Sequence, residues 1–134
     1  MLGGQDLNKV LVCITPQVNG KRLIDKGHEL SLHISAELHI LHVEQNKSIF
    51  YTDESAQMLD RLFRYGSERN GVVHAVCAQD PFGAIHRFVR EEVITDVVLG
   101  ESPDTGSGFS ERLKAAMPYI HLHVVGKSQG DIDK

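Results

Sequence analysis

The chain has no tryptophan, only two cysteines, four prolines and 6% aromatic residues in 134 positions. It has no Lys/Arg cluster, and 14 basic residues against 18 acidic ones leave a net charge of −4. That balance is a poor match for polyanions, so DNA, RNA and anionic membranes are not expected partners. No apolar run reaches the roughly 18–20 residues that span a bilayer, and the start, MLGGQDLNK, lacks the apolar stretch of a signal peptide. Cys13 and Cys77 are far apart in sequence and form no CxxC, which makes a reducing cytoplasm the expected setting. Both read as small apolar core residues on strands. What is present is a 41% hydrophobic fraction, enough for a core, and a length that fits a single domain.

Five short apolar runs alternate with four amphipathic stretches. The runs are Lys9–Ile14, Glu37–Glu44, Val72–Ala78, Asp96–Gly100 and His121–Val125. The first is β-branched and nearly continuous, as expected of a strand buried on both faces. Between the first two runs, Leu23, Gly27, Leu30 and Ile34 fall on one helix face; Leu59, Leu62, Phe63 and Gly66 do so in the next gap. Asp80-Pro81 reads as an N-cap followed by proline at the first helical position, with Ala84, Ile85, Phe88 and Val89 facing inward. The fourth helix should run from about Phe109 to Met117, burying Phe109, Leu113 and Ala116, and Pro118 limits it. Strands alternating with helices imply βαβ units, right-handed crossovers and a parallel sheet covered on both faces. The expected domain is the whole chain, 1–134, with an ordered core of about 8–126 and loose ends.

Recognised catalytic and phosphate-binding patterns are missing. Walker A fails at both Gly-Lys pairs, because His121 and Thr15 stand where its first glycine belongs. The turn Thr15–Gly20 carries no GxGxxG, and HExxH, GxSxG and clustered Cys/His sets are absent. No base or orienting group pairs with either cysteine, so an enzyme is not expected.

The order and spacing of KVLVCI, LHVE, Asp80-Pro81-Phe-Gly-Ala-Ile, TDVVLGES and HLHVV resemble the universal stress protein family over nearly the whole chain. The segment Phe109-Ser-Glu-Arg-Leu is similar to a helix of the related domain in Kdp-type potassium-sensor histidine kinases, the closer likeness. The resemblance implies a doubly wound, five-stranded parallel sheet in order 3-2-1-4-5 and a homodimer through strand five. It also implies a signalling or adaptor role, in osmotic or ion-homeostasis stress, with a regulatory protein partner. Many members bind ATP through Gly-x-x-Gly, about nine residues, then Gly-Ser/Thr. Gly100 matches the start, but Pro103 replaces the second glycine and Leu113 the third, and Thr15 replaces an aspartate after strand one. The loop GESPDTGSGF is shorter than that motif needs and carries Glu101 and Asp104 without a basic residue. At ~4–6 Å each carboxylate would oppose a phosphate by roughly 1 kcal/mol or more. Two readings stay open for Gly106 and Ser107: a helix cap, or an anion site at a helix N-terminus. In the second, ATP or AMP would contact Thr15, Val43, Leu99, Gly100, Gly106 and Ser107.

The eight histidines are numerous. His39 and His42, three apart on a strand, point to opposite faces and cannot share a metal. His42 reads as a buried, hydrogen-bonded core residue. His121 and His123 share a face of strand five, and only a two-fold mate could complete a metal site there, so none is expected. His28, His33, His74 and His86 read as surface or helix-face residues. The predicted dimer interface is His121, Leu122, His123, Val124 and Val125, an edge whose unpaired backbone groups ask for a partner.

Overall fold

The computed structural model describes residues 8–14, 20–44, 53–100 and 109–126. Its elements are β1 (Asn8–Cys13), α1 (Gly20–His33), β2 (Ala36–Glu44), α2 (Asp53–Ser67), β3 (Gly71–Cys77), α3 (Pro81–Glu92), β4 (Asp96–Gly100), α4 (Phe109–Ala116) and β5 (His121–Val125). The five strands form one sheet in order β3-β2-β1-β4-β5, every neighbouring pair parallel. The α/β class and the strand order therefore stand as expected. No described helix is long and apolar enough to cross a membrane.

Side-chain alternation along each strand divides the core into two layers. Val10, Val12, Leu38, Ile40 and Val98 pack under Leu23 and Ile24 of α1 and Leu59 and Leu62 of α2. Leu11, Leu41, Val97 and Leu99 pack under Ile85 and Val89 of α3 and Leu113 of α4. β1 is central, so Val10, Leu11 and Val12 are all fully buried, and the strand reads as a continuous apolar run.

The helix faces follow the periodicity, with differences at the ends. Ala116 is exposed, and Met117, one residue past α4, is fully buried in its place. Asp80 sits at the N-cap of α3 with extended backbone, but its side chain caps nothing; its carbonyl receives the Ala84 N–H instead. The helix ends on Val93, whose φ of 57° is left-handed, with Ile94 N–H bonding back to the Val89 carbonyl. That terminus usually falls to glycine, and a β-branched residue there is strained.

Tight packing of helix on sheet rests on Gly27. A Cβ there would lie 2.3 Å from Cγ2 of Val12, so α1 approaches β1 more closely than an alanine would permit.

Candidate functional site

In an open doubly wound sheet, ligands enter at the carboxyl ends of the strands where successive crossovers diverge to opposite faces. Here that point lies between β1 and β4: α1 follows β1 onto one face and α4 follows β4 onto the other. Register pairs Val12 with Val98, which puts the ends of β1 and β4 side by side. Of the predicted ligand residues, Val43, Leu99 and Gly100 stand at this edge. Val43 is half-buried against the α3–α4 layer, and Leu99 belongs to that layer with 5% of its surface exposed. A Cβ on Gly100 would make only ordinary contact with Leu23, so this glycine is not forced by packing. Thr15, Gly106 and Ser107 lie outside the described residues, as do Glu101, Pro103 and Asp104.

β2 supplies polar chemistry to both faces through its nearly palindromic sequence, ELHILHVE. On the α1–α2 face, His42 is buried; its Nδ1 donates to the Ile14 carbonyl at 3.2 Å and its Nε2 lies 2.9 Å from Oε1 of Glu44. On the α3 face, His39 is also buried, with Nε2 3.0 Å from Oε1 of Glu37 and Nδ1 3.0 Å from Nε2 of His74. His39 and His74 stack at 5.2 Å, and Phe88 meets His74 edge-on at 4.7 Å. Desolvation lowers the His74 pKa, the nearby His39 adds to this, and Glu92 opposes it. His74, read from sequence as a surface residue, is thus part of a cross-strand cluster. Its register partner on β2 is Leu41, so its link to His39 depends on a pairing that sequence spacing alone does not reveal.

At the opposite edge of the sheet, β5 pairs with β4 in register from Asp96↔His121 to Gly100↔Val125. His121 and Val124 are exposed, while Leu122, His123 and Val125 are half-buried. His123 Nε2 bonds Oδ2 of the buried Asp96 at 3.1 Å, and the Thr95 hydroxyl bonds Oδ1 at 2.7 Å. The aspartate fixes the imidazole's orientation on this strand. The Asp96 partnership is a feature that sequence reading missed, because the two residues meet only through strand pairing.

Among the described residues, no group of three or more His, Cys, Asp or Glu is placed to hold a metal ion. Both cysteines are free. Cys13 is half-buried, and desolvation pushes its thiol pKa up to about 12. Cys77, expected in the core, is exposed because β3 is the outer strand of the sheet. A shallow depression on the solvent side of α2, lined by Ala56, Gln57, Asp60, Arg61 and Arg64, carries an exposed Arg64–Asp60 pair at 2.9 Å.

This architecture is that of universal stress proteins. A universal stress protein from Archaeoglobus fulgidus superposes with a TM-score of 0.66 at 13% identity, covering 92% of this chain and 95% of its own. A universal stress protein in complex with cAMP gives a TM-score of 0.63 at 14% identity, with coverage of 90% and 96%. The Archaeoglobus fulgidus protein in complex with dAMP gives 0.62 at 14% identity, with coverage of 89% and 96%. At such identities the likeness establishes the fold. No protein-family model matches the chain, and no curated protein matches it.

Proposed function

We propose that this chain is a non-enzymatic signalling or adaptor module of the universal-stress-protein type, acting in the cytoplasm by dimerisation through β5 and by partner binding. The carrying observation is the edge itself: β5 has β4 on one side only among the described strands, and Val124 stands 49% exposed beside it. A free ladder with apolar flanks is what a second copy would cover by antiparallel pairing of two β5 strands. The likeness of the Phe109-Ser-Glu-Arg-Leu segment to Kdp-type sensors supports an osmotic or ion-homeostasis setting. Light scattering at tens of micromolar tests the assembly: a mass near twice 14.9 kDa supports it, and a monomer refutes it.

A second reading, an adenine-nucleotide switch, is favoured by the cAMP and dAMP complexes of two structural neighbours. Those ligands carry one phosphate. Charge repulsion from Glu101 and Asp104 bears hardest on a polyphosphate and much less on a monophosphate. Val43, Leu99 and Gly100 at the strand ends, with Thr15, Gly106 and Ser107, are the residues assigned to it. Calorimetric titration with AMP, cAMP and ATP, with and without Mg²⁺, decides the matter: absence of heat at millimolar ligand retires the switch.

A further inference from the structure

His42 differs from the chain's other carboxylate-paired histidines in one respect. His39 gives one ring nitrogen to Glu37 and meets another imidazole with the second, so a neutral ring satisfies both contacts. Among the described residues, His123 bonds a single partner, Asp96. His42 faces two acceptors: the Ile14 carbonyl at Nδ1 and the Glu44 carboxylate at Nε2. A carbonyl cannot donate. A neutral imidazole donating to it would then turn a lone pair on the carboxylate, in a position where the imidazole is 6% exposed and Glu44 is 30% exposed.

We infer that His42 and Glu44 form a proton-loaded clamp, an imidazolium–carboxylate pair tying the carboxyl end of β2 to that of β1. The extra proton resides on the imidazole, the stronger base of the two. The pair ties Ile14, the last described residue before segment 15–19, to Glu44, the last before segment 45–52. It therefore joins the roots of two crossovers at the ligand edge, and loss of the proton sets lone pair against lone pair at one of the two contacts.

The described residues around the pair are mostly apolar. Across β3, Ala75 stands in register with His42 and Cys77 with Glu44. The layer over this face brings Leu23 and Ile24 from α1 and Leu59 and Leu62 from α2. The cations in the first turn of α1 point elsewhere, Lys21 over the Tyr65 ring and Arg22 to the Gly126 carbonyl. On α2, Arg64 binds Asp60 at the surface. Among the described residues, Cys77 is thus the other titratable group in register with the pair.

Imidazole ¹⁵N spectra of the full chain test the clamp. At neutral pH both His42 nitrogens should carry hydrogen, and on raising the pH the ring and the Ile14 and Glu44 amides should titrate with one midpoint. In Glu44→Gln the amide can donate to Nε2, so the fold is kept while His42 becomes a neutral Nδ1–H tautomer. A wild-type His42 with one bare nitrogen at neutral pH overturns the inference. So does an imidazolium that persists unchanged in Glu44→Gln.

Discussion

Replacing Gly27 by alanine sets two effects of known sign against each other. In a helix interior the change is worth roughly 0.8–1 kcal/mol of added helix propensity. The new methyl, however, would lie 2.3 Å from Val12 Cγ2 and 3.2 Å from Leu38 Cδ1. Carbon pairs prefer about 3.5–4.0 Å, so α1 would have to retreat by roughly 1 Å. The Leu38 methyl is the far end of a flexible side chain and can yield. Val12 is fully buried on the central strand, with a branched Cβ that restricts its rotamers, and cannot. Overpacking of this kind costs about 1–3 kcal/mol, which outweighs propensity and leaves Gly27→Ala destabilised by about 1 kcal/mol. In a Val12→Ala background the offending methyl is gone, and the same substitution should stabilise by about 0.8–1 kcal/mol. Urea unfolding followed by circular dichroism across the four-member cycle measures both signs. An equal effect of Gly27→Ala in the two backgrounds would refute the packing argument.

Three other outcomes follow from single sites. The His74 pKa is lowered in the folded chain, so as pH falls below the ordinary histidine value the unfolded chain takes up the proton first. Stability should therefore decline from about pH 6.5 downward until the folded pKa is passed, and His74→Gln should flatten that slope in urea midpoints measured across pH. A thiol reagent on the native protein should modify Cys77 and spare Cys13, whose pKa near 12 leaves almost no thiolate; mass spectrometry of the labelled peptides reads the ratio. Val93→Gly should raise stability by about 0.5–1 kcal/mol, since it relieves a left-handed backbone at 68% exposure where no packing is lost. Thermal unfolding at fixed pH measures it.

The elements were legible because local pattern and burial agree. KVLVC carries no alternation since β1 has helices over both faces, and the i, i+4 spacing of Leu23 and Gly27 marks the side of α1 that meets the sheet. Strand order is not a local property, and periodicity could not supply it; the family resemblance did. The site was legible in proportion to its locality. Val43, Leu99 and Gly100 reach the carboxyl edge simply by occupying the last two positions of their strands. The contacts His39–His74 and Asp96–His123 span 35 and 27 residues and exist only once register is fixed. Met117 takes the place expected of Ala116 because its N–H still bonds the Leu113 carbonyl in helical fashion at 2.8 Å, so it lies one turn beyond the buried Leu113 on the same inward face.

The palindrome in β2 has a physical consequence that joins these observations. Successive residues on a strand face opposite ways, so histidines three apart lie on different faces, and a carboxylate two residues from each lies on the same face as its own histidine. ELHILHVE thus builds two His–carboxylate pairs that cannot touch, one beneath each helical layer. They also sit toward opposite ends of the strand. Glu37–His39 lies near its amino end under Phe88 of α3, while His42–Glu44 lies at its carboxyl end beside Ile14. Acid acts on the first group through His74, whose lowered pKa costs stability as protons arrive, while the second spends its Nδ1–H on the Ile14 carbonyl of the neighbouring strand. The strand thus confines its acid sensitivity to the layer under α3, where His74 stacks on His39.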